Sequence, residues 1–350
     1  MSTRSRAGDV AGVRAALVPL AAAQERLLAG LSPIAPQRQS LADAVGSVLA
    51  GDVHAPADVP PTAVALHSGV AVRALETVGA GPYAPSPLAA GPQRLSAGDP
   101  LPAGCDALLP WDAVDLDGPI PLALAAATPG DMIRRPGEDA RAGALLGAAG
   151  GRLTAAACAA IAAAGIADVA VRIPRLRIDG AEGGPAASLL RDMARRFGAV
   201  MAAPGGDADI VACIGPLSAR FDTVDGGLAL RPGGEDMAVG TSGGVPAVLV
   251  PDRPDAVVAA WFGLFRPALG GLASAVPEAF PASLAGKAAS TAGFADLVLM
   301  RRAEGDPALW EVLAVGDLPL SRLAAATAAA LVPSESEGYP PGATMPAMLL

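Results

Sequence analysis

The sequence predicts a multidomain chain of α/β and β character, and three observations carry that prediction. From residue 175 short apolar runs alternate with a helical stripe, the pattern of a parallel α/β sheet with helices on both faces. Residues 51–130 are rich in Pro and Gly and hold only short apolar pieces, which reads as an irregular β domain. Residues 278–350 return to strand-like runs and predict a small β-rich terminal domain. A length of 350 residues suits several domains, and 52% hydrophobic residues are ample for packed cores. Only 3% are aromatic, so those cores must be aliphatic.

Taken in order, Val13, Leu17, Leu20, Leu27 and Leu28 recur at helical spacing and predict a helix over 9–30, stopped by Gly30. Ser40 caps a short helix over Leu41–Leu49. Val70–Val72 and Ala107–Leu109 are the apolar pieces of the β domain, broken by turns such as Pro60-Pro61 and Gly91-Pro92. Thr154 is placed to cap a helix over Ala155–Ala164, with Gly165 ending it and a strand at Val169–Val171. Leu176–Ile178, Asp209–Ile214 and Ala247–Val250 read as strands. Leu189, Leu190, Met193 and Phe197 mark one helix, and Trp261, Phe262, Leu264 and Phe265 mark another. Leu297–Met300 and Leu309–Val315 follow as strands, Leu320–Ala330 as an Ala-rich helix, and Leu331-Val332 and Met345–Leu350 as strands. The expected division is a helical, linking domain of 8–50 plus 131–173, a β-rich insertion of 51–130, an α/β domain of 174–277 and a β-rich domain of 278–350.

Composition excludes several functions. A net charge of −9 repels phosphate backbones and disfavours nucleic acid as a partner. Lys287 is the sole lysine, so arginine carries nearly all positive charge. Arginine grips anions bidentately but does not transfer protons as an amine does. Cys105, Cys158 and Cys213 lie far apart without metal-ligand spacing and read as reduced, structural thiols. His54 and His67 are too few for a histidine metal centre. No signal peptide is visible. The most apolar run, Leu153–Val171, is Ala-rich, broken at Gly165 and too weakly hydrophobic to span a membrane, so a cytoplasmic protein with no membrane partner is expected.

The segment with most chemistry is Ile133-Arg134-Arg135-Pro136-Gly137-Glu138-Asp139. It matches the R-x-x-G-E-D motif of the molybdopterin molybdotransferase (molybdenum insertase) family. Pro102-Ala103-Gly104-Cys105-Asp106-Ala107 resembles that family's P-x-G-x-D-A turn and strand, and Val332-Pro333, Glu337-Gly338 and Pro341-Gly342 resemble its last strand and turn. The domain order is also similar, so the resemblance covers essentially the whole chain. It implies that 174–277 has the molybdopterin-binding fold, that 278–350 is a small β-barrel-like domain, that the protein is a homodimer, and that Mg²⁺ and molybdopterin, or its adenylylated form, are its ligands. It also implies an insertase or a molybdenum enzyme as a protein partner.

Carried over position by position, the resemblance marks Arg134, Gly137, Glu138, Asp139, Gly215, Asp222, Arg231, Pro232, Pro251 and Pro254 as cofactor-binding candidates. Asp139 and Asp222 are the weak catalytic candidates. The arginines of the motif suit an anion, and its acids suit a hydrated cation or a pterin. The alternative is a local Arg–carboxylate network that anchors the loop to the next helix.

The chain departs from the family at the positions that matter most. In Asp58-Val59-Pro60-Pro61-Thr62-Ala63-Val64-Ala65-Leu66-His67-Ser68-Gly69 the register is kept, but Ala63 and Ser68 stand where the family has aspartates and Val64 where it has Asn. Thr-Gly-Ala-Pro becomes Ala97-Gly98-Asp99-Pro100, and Thr-Gly-Asp-Glu survives only as Asp179-Gly180-Ala181-Glu182. The glycine-rich phosphate loop becomes Ile214-Gly215-Pro216-Leu217-Ser218-Ala219-Arg220-Phe221-Asp222, in which Pro216 removes an N–H donor. Lys-Pro-Gly-Lys-Pro becomes Arg231-Pro232-Gly233-Gly234-Glu235, and Pro-Gly-Asn-Pro becomes Pro251-Asp252-Arg253-Pro254.

Three readings follow. The favoured one is a catalytically weakened or inactive molybdopterin-binding or scaffold homologue, because losing several oxyanion donors together removes the main catalytic term. The alternative is an active molybdotransferase inserting molybdenum from molybdate into adenylylated molybdopterin. The third is a different activity on the same scaffold, since fold does not fix function.

Overall fold

The structure is a computed structural model that describes residues 17–88, 93–180, 183–216, 221 and 225–350. The predicted helix start at 9–16, the turn Gly91-Pro92, Ala181-Glu182 and the stretch 217–220 with Asp222 lie outside the described residues.

Seven α-helices are described: α1 (Leu20–Ala29), α2 (Leu41–Ala44), α3 (Ala155–Ala163), α4 (Pro185–Arg196), α5 (Pro254–Ala260), α6 (Arg266–Ala273) and α7 (Leu320–Ala325). A π-helical turn, Trp261–Phe265, joins α5 to α6, so that Pro254–Ala273 is one apolar rod. Thr154 caps α3 by accepting the Ala157 N–H, as its hydroxyl and position predict. Ser40 caps α2 by accepting from Asp43 N.

α2 is shorter than predicted, because Gly46 takes a φ of +85° and turns the chain. Val48-Leu49 then becomes a strand that pairs with Val171-Arg172. The region predicted as helical therefore also holds a three-stranded sheet, with Gln37–Ser40 and Val48-Leu49 flanking Asp168–Arg172.

The α/β sheet has six strands in the order Val200-Met201, Arg175–Asp179, Ile210–Ile214, Val245–Val250, Ala238–Ser242 and Asp225-Gly226. The first four are parallel, and the last two are antiparallel. The expectation of a wholly parallel sheet is corrected to a mixed one. The expectation of helices on both faces is also corrected. Leu176, Ile178, Ile210, Ala212, Val248 and Val250 face a core shared with α1, α4, α5 and α6. The opposite face, Val211, Cys213, Ala247 and Leu249, packs with Phe221 and Ala238, with no helix among the described residues.

The terminal strands close on themselves. Ala295–Arg302 pairs with Leu309–Val315, which pairs with Phe280–Leu284. Phe280–Leu284 pairs with Thr344–Leu349, which pairs with Ala328–Val332, and that strand returns to Ala295–Arg302. A closed circuit leaves no exposed edge along these strands. Ala282, Ala328, Ala330 and Ala347 fill the inside with Val298, Met300, Trp310 and Met345. Small residues opposite large ones are what a narrow barrel requires.

The Ala-rich helix predicted over Leu320–Ala330 ends at Ala325, and Ala328–Val332 is a strand. Alanine's helical propensity is worth only a fraction of a kcal/mol per residue and loses to ladder pairing and burial. The strand period decides the faces: Ala328, Ala330 and Val332 point inward, while Ala329 meets the helical core.

Leu153–Val171, the run flagged by sequence, is not the most membrane-like segment. The rod Pro254–Ala273 is long and apolar enough to cross a membrane, but 78% of it is buried inside the protein. It is read as a core helix.

Substituting Ala330, fully buried in the barrel, by leucine is expected to lower the unfolding free energy by about 1–3 kcal/mol through overpacking. Urea denaturation measures this, and an unchanged midpoint would show that the barrel interior is not closely packed.

Candidate functional site

Three loops quoted in the sequence comparison converge on one small β arrangement. Val64-Ala65 pairs antiparallel with Ile133-Arg134, with Arg134 opposite Val64. Ala65 N donates to Asp99 O, Gly98 N donates to Ala65 O, and Val64 bridges Pro100. The family's Asn position, Val64, is thus the direct cross-strand neighbour of Arg134. Ala63 and Val64 are half-buried, and His67 and Ser68 are exposed.

The motif holds itself together. Arg134 Nη1 lies 2.7 Å from Asp139 Oδ1, with both side chains largely exposed. Glu138 Oε2 accepts the Arg135 N–H at 2.7 Å, and Arg135 Nη2 donates to Pro129 O. Gly137 N donates to Pro60 O, and Asp139 N donates to Val59 O. Asp58 accepts the Ala142 N–H at 2.8 Å. A Cβ on Gly137, whose φ is +70°, would stand 3.1 Å from the Asp58 carboxyl carbon. The Arg–carboxylate contacts thus close this loop on itself rather than anchoring it to the following helix, and backbone bonds with the Asp58 carboxylate pin it to residues 58–60. Beside it is a shallow cleft of about 500 Å³ lined by Ile133, Arg135, Gly137, Glu138 and Arg141.

The second group lies at the carboxyl ends of parallel strands, where open α/β sheets bind ligands. Gly180 follows Arg175–Asp179, Gly215 follows Ile210–Ile214, and Pro251 follows Val245–Val250. Gly180 has a φ of +82° and packs so closely on Ile214 O that no Cβ fits. Gly215 is half-buried beside open space, and its N–H donates to Val250 O. Pro254 opens α5.

The arginines of this group are already engaged. Arg231 donates from Nε and Nη2 to the two oxygens of Asp296, each at 2.6 Å. Asp296 is 1% exposed and also accepts from the Ser290 hydroxyl, and the Arg231 guanidinium stacks on Phe294 at 4.8 Å. Hydrogen bonding to Asp296 pushes the Arg231 pKa above its ordinary value. Arg253 is likewise bidentate to Asp255, which raises its pKa too. Pro232 is buried next to Arg231. Asp296, Ser290 and Phe294 were not singled out by sequence, because a partner 65 positions away carries no local signal.

Arg134, Gly137, Glu138 and Asp139 are thus brought together on the small β arrangement. Gly215, Pro251 and Pro254 follow strands of the α/β sheet, Arg231 and Pro232 end a strand that pairs with the barrel, and Asp222 is not described. The donors present do not fit Mg²⁺: Asp139 is paired with Arg134, Glu138 with a backbone N–H, and no group of three His, Cys, Asp or Glu side chains suited to a metal occurs among the described residues. All three cysteines are free. Burial pushes the Cys213 and Cys105 thiols up, aided by Asp179 and Glu76 respectively, which makes them poor nucleophiles.

A multidomain, mostly-β protein with a closed terminal barrel and Gly/Pro loops at the carboxyl ends of an α/β sheet is the class so defined. Residues 18–165 match the family described as MoeA N-terminal region (domain I and II). Molybdopterin molybdenumtransferase 2 of Mycobacterium tuberculosis (strain H37Rv) is 29% identical over 300 residues, spanning 65% of this chain and 73% of that protein. Molybdopterin molybdenumtransferase of Synechococcus elongatus is 33% identical over 178 residues, spanning 44% of this chain and 43% of that protein. The crystal structure of the molybdopterin biosynthesis moeA protein from Pyrococcus horikoshii OT3 superposes with a TM-score of 0.67 at 23% identity, over 95% of this chain and all of that one. The molybdenum cofactor biosynthesis protein from Pyrococcus furiosus gives 0.58 at 19% identity, over 95% and 100%. Together these similarities support membership of the MoeA family, the resemblance that the motifs of the sequence carry.

Two measurements test the site's electrostatics. A double-mutant cycle with Arg134→Ala and Asp139→Ala is expected to give a coupling of about 0.2–1 kcal/mol, as for an exposed pair. A larger coupling would mean that this pair is shielded from solvent. Arg231→Met is expected to cost about 3 kcal/mol in chemical denaturation, because it strands the buried Asp296 carboxylate. A loss below about 1 kcal/mol would show that Asp296 is held by other partners.

Proposed function

We propose that the chain serves molybdenum cofactor biosynthesis as a catalytically weakened or inactive homologue, binding molybdopterin or acting as a scaffold. The observation that carries this reading is that the family's polar positions are apolar in the site loops while Arg134, Arg231 and Arg253 are committed to carboxylates; Arg135 and Arg141, beside the motif, are the described cations there without an acid partner. Ala63, Val64 and Ala97 stand in those loops, and Arg134, Arg231 and Arg253 each face a carboxylate at 2.7 Å or less. Molybdate is an anion, and a neutralised arginine offers it little. Its transfer also requires donors aimed at the developing charge.

The glycine-permitted loops at Gly180, Gly215 and Gly233 support residual binding of a pterin, because they keep backbone close to the sheet edge with space beyond Gly215. The same reading includes a cytoplasmic homodimer and a partnership with an insertase or a molybdenum enzyme. The second reading, an active molybdotransferase, is favoured by the intact Arg134–Asp139 loop alone.

Purified protein supplied with molybdate, Mg²⁺ and adenylylated molybdopterin is expected to release no nucleotide above background, while molybdopterin alone binds in a fluorescence titration. Turnover above background would establish the active reading. Absence of both turnover and binding would leave the scaffold role without its ligand.

A further inference from the structure

We propose that the cavity where α4, α5 and α7 meet the strands Phe280–Leu284 and Thr344–Leu349 binds a neutral, apolar, ring-containing small molecule. The cavity measures about 610 Å³, within the usual range of small-molecule sites, about 300–1,000 Å³. It contains none of the motif residues. Three parts of the chain wall it: the loop before α3, the helices of the α/β unit, and the barrel strands with α7. Junctions of this kind are where small-molecule sites concentrate.

The space has a cause in the sequence. α7 is Leu-Ser-Arg-Leu-Ala-Ala, and none of its six residues is buried. Its Leu323 and Ala324, with Ala326 just beyond, line the cavity. Alanine ends at Cβ, so this wall leaves open what a larger side chain would fill. Leu189 and Met193 on α4 and Leu323 on α7 touch the main core yet stay only half-buried, and all three line the cavity. Single exposed hydrophobic residues need no explanation, but a concave cluster of them marks a binding surface. Phe197, Trp261 and Phe280, three of the chain's few aromatic residues, are also in the lining, with Phe197 edge-to-face on Trp261 at 5.5 Å. Aromatic walls suit a ring, and the flexible thioether of Met193 adapts to its shape.

Charge argues against an ion as the occupant. Six ionised groups border the cavity, and they cancel: Arg152, Arg196 and Arg266 against Asp192, Glu278 and the main-chain carboxylate of Leu350. The two most enclosed guanidiniums are already engaged. Arg152 Nε lies 3.0 Å and Arg266 Nη2 3.7 Å from the Glu278 oxygens. Arg152 Nη1 donates to Gly46 O at 2.7 Å and to Phe197 O, and Arg266 Nη1 donates to Leu349 O. Both guanidiniums stack on the Phe197 ring, at 4.2 Å and 5.4 Å from its centroid. An incoming ion would give up its hydration to a site whose charges already sum to zero. A neutral apolar molecule gives up little and covers Leu189, Met193 and Leu323.

This inference does not rest on the cofactor reading, since no molybdenum species enters its test. The full chain is titrated with N-phenyl-1-naphthylamine, a neutral dye whose emission rises in apolar surroundings, and saturable one-to-one binding is expected. Three compounds of one ring system then compete at neutral pH: 1-naphthalenemethanol, the anion 1-naphthaleneacetate and the cation 1-naphthylmethylamine. The neutral alcohol is expected to displace the dye about tenfold better than either ion. Ala324→Trp, on a helix that buries nothing, is expected to fill the cavity and weaken dye binding about tenfold or more. Ala325→Trp, the next position and outside the lining, is expected to leave binding unchanged. The proposal is overturned by any of four results: no saturable dye binding, an ion that competes as well as the alcohol, Ala324→Trp without effect, or Ala325→Trp weakening binding equally.

Discussion

The packing of one apolar rod, Pro254–Ala273, is the constraint on which the rest of the structure depends. It lies in a single core with one face of the six-stranded sheet, with α1 and α4, and with the outer wall of the barrel at Leu297, Leu299 and Ala329. In a chain with so few aromatic residues, Trp261, Phe262 and Phe265 are concentrated here and are almost fully buried. Large rings supply much apolar area per residue, so a small number placed at the junction holds three layers together. The aliphatic remainder, rich in alanine, then packs at close range around them. The strand Leu228–Arg231 reinforces the junction by pairing on one side with Val18-Pro19 and on the other with Ala295-Asp296.

The same junction governs the electrostatics. Asp296 sits on a barrel strand, and its partner Arg231 ends the strand Leu228–Arg231 that pairs alongside it. The pair ties that strand to the barrel, and that structural duty takes Arg231 away from any ligand. Arg134–Asp139 and Arg253–Asp255 are local pairs with a similar consequence. An acidic protein in which arginine carries almost all positive charge tends to spend that charge on its own carboxylates. Beside the cavity at Arg152 and Arg266 the outcome is the same, because Glu278 engages both guanidiniums.

Much of the fold was legible wherever local signals agree with tertiary demands. Thr154 caps its helix because a hydroxyl three residues before a free N–H has one favourable partner. Ala107–Leu109 forms the strand that its apolar run indicated. The signals failed where propensity and context conflict. Ala328–Ala330 has helical propensity, yet small side chains are what the barrel interior needs. Val48-Leu49 continued a capped helix on paper, but Gly46 redirects the chain into a sheet. Of the candidate site, the loop at Arg134–Asp139 was marked by its motif, and its pairing with Val64 came from the structure. So did the commitments of Arg231 and of the Arg152–Arg266 cluster.

By itself the sequence determined the family resemblance, most kinds of element and the chemical poverty of the motif loops. Each of these is encoded in residues adjacent along the chain: a motif, a periodicity, or a missing side chain at Ala63 or Val64. Only the tertiary structure decided which face of the sheet is covered, where the barrel closes and which arginines are committed to carboxylates. Those outcomes depend on contacts between residues tens to hundreds of positions apart, such as Arg231 with Asp296 and Arg152 with Glu278. No local pattern specifies such partners, because burial and distance, which set the strength of a charge interaction, exist only once the chain has folded.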